Sequence, residues 1–176
     1  MNYGKIFYCD IANGIGCRTA LFVSGCTHHC KECFNPETWD FNFGQLFDTA
    51  TEDKIIESLL PDYINGLSIL GGEPMEPANQ IALYPFLQRV KAAVPHATIW
   101  IYTGYTIEEL MDVSNTQVHT EVTEKILRIS DILVDGEFIL AQKNICLRFR
   151  GSTNQRIISL ADTFGQGKLV LSNYMN

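Results

Sequence analysis

Short apolar runs separated by segments of helical periodicity constrain the fold of this chain more than any other feature. Thr19-Ala20-Leu21-Phe22-Val23, Gly66-Leu67-Ser68-Ile69-Leu70, Ala97 to Tyr102 and Asp131 to Val134 read as buried strands. After the first run, Thr51 has the character of a helix N-cap, with Glu52 and Asp53 well placed for the helix dipole. Ile55, Ile56, Leu59 and Leu60 supply a buried face there, and Pro61 marks the stop. A longer helix is predicted from Pro77 to Val94, with Ile81, Tyr84, Leu87 and Val90 inward and a kink at Pro85. A short helix starts near Thr106, and another carries Val118, Val122, Ile126 and Ile129. Strand and helix alternating at this spacing imply an α/β fold with a mostly parallel sheet and crossover helices. Beyond Gly136, apolar runs around Ile145–Phe149, Arg156–Leu160 and Lys168–Leu171 predict extended or hairpin segments. The 176 residues contain no internal repeat, low-complexity tract or linker, so a single domain over 1–176 is expected.

Composition narrows the class. Hydrophobic residues make up 46% of the chain, yet no apolar run reaches the roughly 18 residues of a membrane span. The first residues lack the basic region and apolar stretch of a signal peptide, so a cytoplasmic protein is expected. A net charge of −7 argues against nucleic acid as a partner. Of the 6 cysteines, Cys9, Cys17 and Cys146 are scattered and read as reduced thiols that fill small apolar gaps.

The other three lie in one loop that directly follows the first predicted strand: Ser24-Gly25-Cys26-Thr27-His28-His29-Cys30-Lys31-Glu32-Cys33-Phe34-Asn35. C-x3-C-x2-C gathers three soft thiolates on a short length of irregular backbone. That suits an iron–sulfur cluster with one iron left without a protein ligand. Zinc is the rival metal, with His28 or His29 as a fourth ligand, but a histidine so close to Cys26 reaches the same ion awkwardly. Gly71-Gly72-Glu73-Pro74 ends the second predicted strand. Two glycines there let backbone approach a ligand closely, Glu73 can hold an ammonium group, and Pro74 fixes the turn. The same four residues also suit an ordinary strand-to-helix connection. In a parallel sheet the cysteine loop, Gly71–Pro74 and Thr103-Gly104-Tyr105 all fall at the carboxyl ends of strands, on one edge.

Together these motifs resemble the radical S-adenosylmethionine superfamily, which carries C-x3-C-x2-C after its first strand and a Gly-Gly-Glu-Pro type motif after its second. Asn13-Gly14-Ile15-Gly16, Leu21 to Cys26, Cys33-Phe34-Asn35-Pro36-Glu37-Thr38-Trp39, Tyr102-Thr103-Gly104-Tyr105, Val134-Asp135-Gly136 and Arg150-Gly151-Ser152-Thr153-Asn154-Gln155 are similar to the activating enzymes of anaerobic ribonucleoside-triphosphate reductase. The likeness spans Asn2 to about Ile158. It implies an incomplete (β/α) barrel and a 4Fe-4S cluster held by Cys26, Cys30 and Cys33. It also implies S-adenosylmethionine on the open iron, contacted by Glu32, Cys33, Phe34, Gly71, Gly72, Glu73, Pro74 and Thr103.

The implied activity is reductive cleavage of S-adenosylmethionine to methionine and a 5′-deoxyadenosyl radical. That radical produces a glycyl radical on the reductase, with a reduced flavodoxin or ferredoxin as donor and no catalytic side chain beyond the cluster. An activase for another glycyl-radical enzyme of the pyruvate formate-lyase type, or a non-catalytic zinc or iron–sulfur interaction module, are the alternatives. The pattern is not followed at Glu32, where the superfamily often has an aromatic residue.

Other residues carry open readings. Asp135 and Glu137 can bind a ribose or a cation, or sit in a solvated turn. Arg148, Arg150 and Arg156 can pair with a carboxylate or a partner protein, or form a solvated edge. His28 and His29 are expected to be exposed, and Trp39 and Trp100 to be core.

Overall fold

Side chains along Thr98–Tyr102 alternate in destination. Ile99 and Ile101 enter one apolar cluster, while Trp100 enters a second. That alternation separates the two faces of the sheet. The computed structural model describes residues 1–175. Its strands are β1 (Asn2–Asp10), β2 (Cys17–Val23), β3 (Gln45–Leu46), β4 (Ile64–Gly71), β5 (Thr98–Tyr102), β6 (Ile132–Asp135) and β7 (Arg156–Ser159). They form one 7-stranded sheet in the order β3-β1-β2-β4-β5-β6-β7. β2, β4, β5 and β6 are parallel, whereas β1, β3 and β7 join antiparallel, so the sheet is mixed.

The helices are α1 (Thr49–Ser58), α2 (Pro77–Ala93), α3 (Ile107–Met111), α4 (Thr123–Ile129) and α5 (Leu160–Gln166). All five contribute to the larger cluster: Ile55, Leu87, Leu110, Ile126 and Leu160 pack with Leu21, Val23, Leu67, Ile69 and Leu133. The opposite face carries Trp100, Ile132, Val134 and Ile157, covered by Ile15 and Phe149 from loops and by Met175 from a single 3-10 turn rather than by α-helices.

Arg18, 1% exposed, is buried on that loop-covered side. Its Nε donates to Ser68 Oγ (2.8 Å) and its Nη2 to Leu67 O (2.9 Å) and Thr98 O (2.8 Å). Nη1 donates to Thr98 Oγ1 (2.9 Å) and Ile15 O (3.4 Å). The guanidinium also lies 5.2 Å from the Trp100 ring. These are neutral partners, and burial lowers the Arg18 pKa to about 10.

Several expectations are corrected. β1 is absent from the sequence reading because it is half-exposed and lacks a clean buried alternation. The N-cap of α1 is Asp48, not Thr51: the Asp48 carboxylate accepts from Thr51 N (2.9 Å) and Oγ1 (2.8 Å). Leu60 is exposed because α1 has already ended at its Leu59 cap. The buried face of α2 is Leu83, Phe86, Leu87 and Val90 rather than one built on Ile81, which is exposed; the helix runs through Pro85. Val118 and Val122 are buried but precede α4.

In the tail only Arg156–Ser159 forms a strand; Ile145–Phe149 is irregular, and Leu171 makes a single bridge to Ile158. The short α5 offered only Leu160 and Phe164 as periodic apolar signal. Cys9 is exposed and Cys17 packs at the edge of the larger cluster, but neither is a reduced thiol. They are neighbours across β1 and β2 with Cα atoms 5.5 Å apart and form a disulfide, since the 11–16 turn folds one strand back on the other. Cys146 is a free thiol, as expected, but it is exposed in an irregular loop and fills no apolar gap. No helix among the described residues is long and apolar enough to cross a membrane.

Candidate functional site

Because β2, β4, β5 and β6 are parallel, the loops after them meet at one edge of the sheet. Backbone hydrogen bonds tie them together. Gly72 N donates to Val23 O and Glu73 N to Gly25 O (both 2.8 Å), while Gly25 N donates to Thr38 O (2.7 Å) and Cys26 N to Trp39 O (3.2 Å). Thr103 N closes on Val134 O (2.9 Å). At Gly72 a Cβ would lie 2.7 Å from Gly25 O and 2.9 Å from Thr38 O, so only glycine fits between the two loops.

The loops enclose a cleft of about 540 Å³. Cys26, Cys30, Cys33, Phe34, Gly71, Gly72, Glu73 and Thr103 all line it; the expected contacts Glu32 and Pro74 do not. Glu32 is exposed with positive φ (59°), its carboxylate 4.0 Å from Lys143 Nζ. Pro74 is buried behind the wall.

The three loop thiols are free of disulfides. Burial pushes the Cys26 thiol up to about 12. The Cys30 thiol is raised by burial and then by Glu137, whose carboxylate it faces at 3.7 Å. Cys33 Sγ accepts from Asn35 N at 3.4 Å. Among the described residues no three His, Cys, Asp or Glu side chains converge as ligands of one metal ion would.

Glu73 is 1% exposed and fully engaged on its protein side. Oε1 accepts from Met75 N (2.8 Å), and Oε2 accepts from Gly104 N (2.7 Å) and His28 Nε2 (3.0 Å). His28 is therefore not the exposed residue expected. Burial disfavours its cation, but the hydrogen bond and charge of Glu73 outweigh that and raise its pKa. His29 is exposed, against the Trp39 ring at 4.7 Å.

Trp100 is core as expected, whereas Trp39 is only half-buried and lines the cleft. Trp39 Nε1, Tyr102 Oη and Arg150 Nε, all on cleft-lining residues, are buried without a hydrogen-bond partner. A polar ligand in this cleft would satisfy groups that otherwise cost stability.

Asp135 offers no ribose or cation site. It is fully buried, accepts from Ile107 N (2.8 Å), and pairs with Arg156 at 2.9 and 2.5 Å. Arg156 also reaches Glu108 at 3.0 and 2.6 Å, so its guanidinium is held protonated by Asp135 first and Glu108 second. The arginines thus form no common patch. Arg150 donates to Gln155 O and Met175 O, and Arg148 lies over Phe149. Ala12 and Lys143, which carry no motif of their own, also line the cleft, as does Asn13, which the sequence singles out only within Asn13–Gly16 and not as a cofactor contact.

Comparison with known proteins matches this architecture to a family. A family model described as a 4Fe-4S single cluster domain matches residues 12–158. Proteins of Vibrio cholerae and Haemophilus influenzae are 44% and 43% identical over 159 residues, which is 89% of this chain and 97% of each relative. A protein of Enterobacteria phage T4 is 37% identical over 164 residues, 92% of this chain and 96% of that relative. Each is named anaerobic ribonucleoside-triphosphate reductase-activating protein. The chain belongs to the family of anaerobic ribonucleoside-triphosphate reductase-activating proteins, within the 4Fe-4S single cluster domain family.

Proposed function

We propose that this chain is a radical S-adenosylmethionine enzyme that activates anaerobic ribonucleoside-triphosphate reductase by generating a glycyl radical on it. The single observation that carries this reading is the shared cleft: three disulfide-free thiols from one loop and the Gly71–Glu73 backbone from the next line the same cavity. The four parallel strands with helices on one face support an incomplete barrel of the radical S-adenosylmethionine type.

The donor set fits the implied cluster. A 4Fe-4S cube offers each thiolate its own iron, so its ligands need not converge on a point as they do around zinc. Cys26, Cys30 and Cys33 would hold three irons and leave the fourth to the cosubstrate. Once bound, the cluster and S-adenosylmethionine supply one-electron cleavage to methionine and a 5′-deoxyadenosyl radical that takes a hydrogen atom from a glycine of the reductase.

The residues of the chain prepare that chemistry. The Cys26 thiol, pushed up to about 12 when metal-free, must release its proton to bind iron. Glu73, on the cleft wall, would hold the ammonium group of the cosubstrate. Trp39, Tyr102 and Arg150 supply unpaired polar groups for the carboxylate and sugar of the same molecule. Phe34 and Ile145, 77% and 91% exposed on the cleft wall, give an entering polypeptide apolar footholds. A reduced flavodoxin or ferredoxin is the expected electron donor.

Anoxic reconstitution tests the reading. About four irons and four sulfides per chain are expected, with reductive cleavage of S-adenosylmethionine and a glycyl-radical signal on the added reductase. Cys30→Ala should abolish cleavage and activation together. A zinc-only protein without cleavage would overturn the proposal, and an active Cys30→Ala variant would overturn the ligand assignment.

A further inference from the structure

We propose that His28 is a positioning residue: from inside the cysteine loop it sets the direction in which Glu73 can accept the ammonium group of S-adenosylmethionine. This rests on the reading of Glu73 given above.

A carboxylate presents about four acceptor sites. Three of those on Glu73 are taken, by Met75 N, Gly104 N and His28 Nε2. These donors come from three segments: the turn into α2, the loop after β5 and the cysteine loop. One acceptor direction is left, and the carboxylate cannot rotate to present another without breaking a bond inside a residue that is 1% exposed.

Of the three donors, two are backbone N–H groups fixed by the chain path. His28 is the only side chain among them, and it is the one that links the carboxylate to the cysteines. Because a carboxylate only accepts, Nε2 of His28 must carry a proton, which fixes the tautomer of the neutral ring.

The ring itself is held on two sides. The Tyr105 ring centroid is 4.4 Å away. At Gly104 a Cβ would fall 2.5 Å from His28 Nε2, so the space the ring occupies exists only because that residue is glycine. The preceding residue reinforces the link: Thr27 N and Oγ1 both donate to Glu76 Oε1, at 2.8 and 2.6 Å. Two successive residues of the cysteine loop therefore clasp two carboxylates of the Gly72–Glu76 turn. A ligand to the irons and a contact to the cosubstrate are set as one rigid unit, the kind of pre-organisation that reactions between two bound groups require.

The test compares His28→Ala and His28→Gln in reconstituted protein. The probes are S-adenosylmethionine and an analogue that lacks its amino group, with binding measured by equilibrium dialysis and iron by direct assay. Loss of a hydrogen bond to a charged group predicts that His28→Ala weakens S-adenosylmethionine binding about tenfold. Binding of the deamino analogue should be unchanged and the iron content kept. His28→Gln, which retains a donor, should recover most of the affinity.

Equal binding of S-adenosylmethionine by wild type and His28→Ala would overturn the proposal, as would an equal loss for both ligands. If His28→Ala does not retain iron, Gly104→Ala carries the same test, since its methyl displaces the ring while leaving the histidine in the chain; unchanged discrimination between the two ligands would then overturn it. Failure of the wild type to bind S-adenosylmethionine would count against the proposed function instead.

Discussion

At Gly72 the backbone of two other loops leaves no room for a side chain in the cleft wall. Two carbonyl oxygens, Gly25 O and Thr38 O, lie within 2.9 Å of where a Cβ would sit. Gly72→Ala should force the two loops apart, at a cost of roughly 1–3 kcal/mol, and should lower iron retention after reconstitution. Thermal melts and iron assays on the same preparation check both outcomes. Unchanged iron together with an unchanged melt would show that the loops do not depend on this contact.

Residue type alone pointed to glycine, glutamate and cysteine here, because few chemistries other than metal and cofactor binding want them in these patterns. The link from His28 to Glu73 is not legible in the sequence, for a physical reason. A histidine in a loop carries no periodicity, and its partner Glu73 is 45 positions away in sequence. Trp39 is half-buried rather than core for the same reason, since its burial depends on loops that close from distant parts of the chain.

At the scale of elements, α3 is tied to β7 and the end of β6 by the Glu108–Arg156–Asp135 group. The Glu108 carboxyl is held below its ordinary 4.5 chiefly by its hydrogen bonds to Arg156. A group whose pKa is lowered on folding stabilises the native state above its unfolded value and loses that contribution as pH falls through the folded value. Stability should therefore decline on acidification below about pH 4.5, and Glu108→Gln should flatten that part of the profile. Melting temperatures measured stepwise from neutral to acid pH decide it; parallel profiles for wild type and variant would exclude the pair as the cause. Glu108 is exposed on its outer side, so the effect is modest.

The long helix, the start of a short helix near Thr106 and the buried parallel strands were legible because their signals are local: helical periodicity and continuous apolar runs. β1 and α5 were not, since half-exposed short elements borrow their stability from neighbours and carry little pattern of their own. The α2 face illustrates the limit. Helical period was right, but which arc is buried was decided by how α2 lies against α4 and α1.

For the molecule as a whole, Arg18 is the largest fully buried side chain that is not apolar. It joins β2, β4 and β5 and holds the 11–16 turn over the open face of the sheet through Ile15 O. Arg18→Met keeps the stem's packing but strands several buried acceptors. We expect a loss of about 3 kcal/mol or more, read from the denaturant midpoint, with a loosened cleft because Ala12 and Asn13 of that turn line it. A loss below a few tenths would mean the acceptors find other partners.

The sequence by itself determined the α/β class, the parallel run of strands and the three-cysteine loop beside a glycine-rich turn. Those depend on short-range periodicity and on residue chemistry, which a chain carries wherever it folds. Tertiary structure decided the rest: the antiparallel strands at both edges, the Cys9–Cys17 pairing, the capture of Asp135 by Arg156, and the histidine that links the cysteine loop to Glu73. Each of these joins groups far apart in the chain or across a turn, and only the assembled sheet and its loops bring their distances within hydrogen-bond or covalent range.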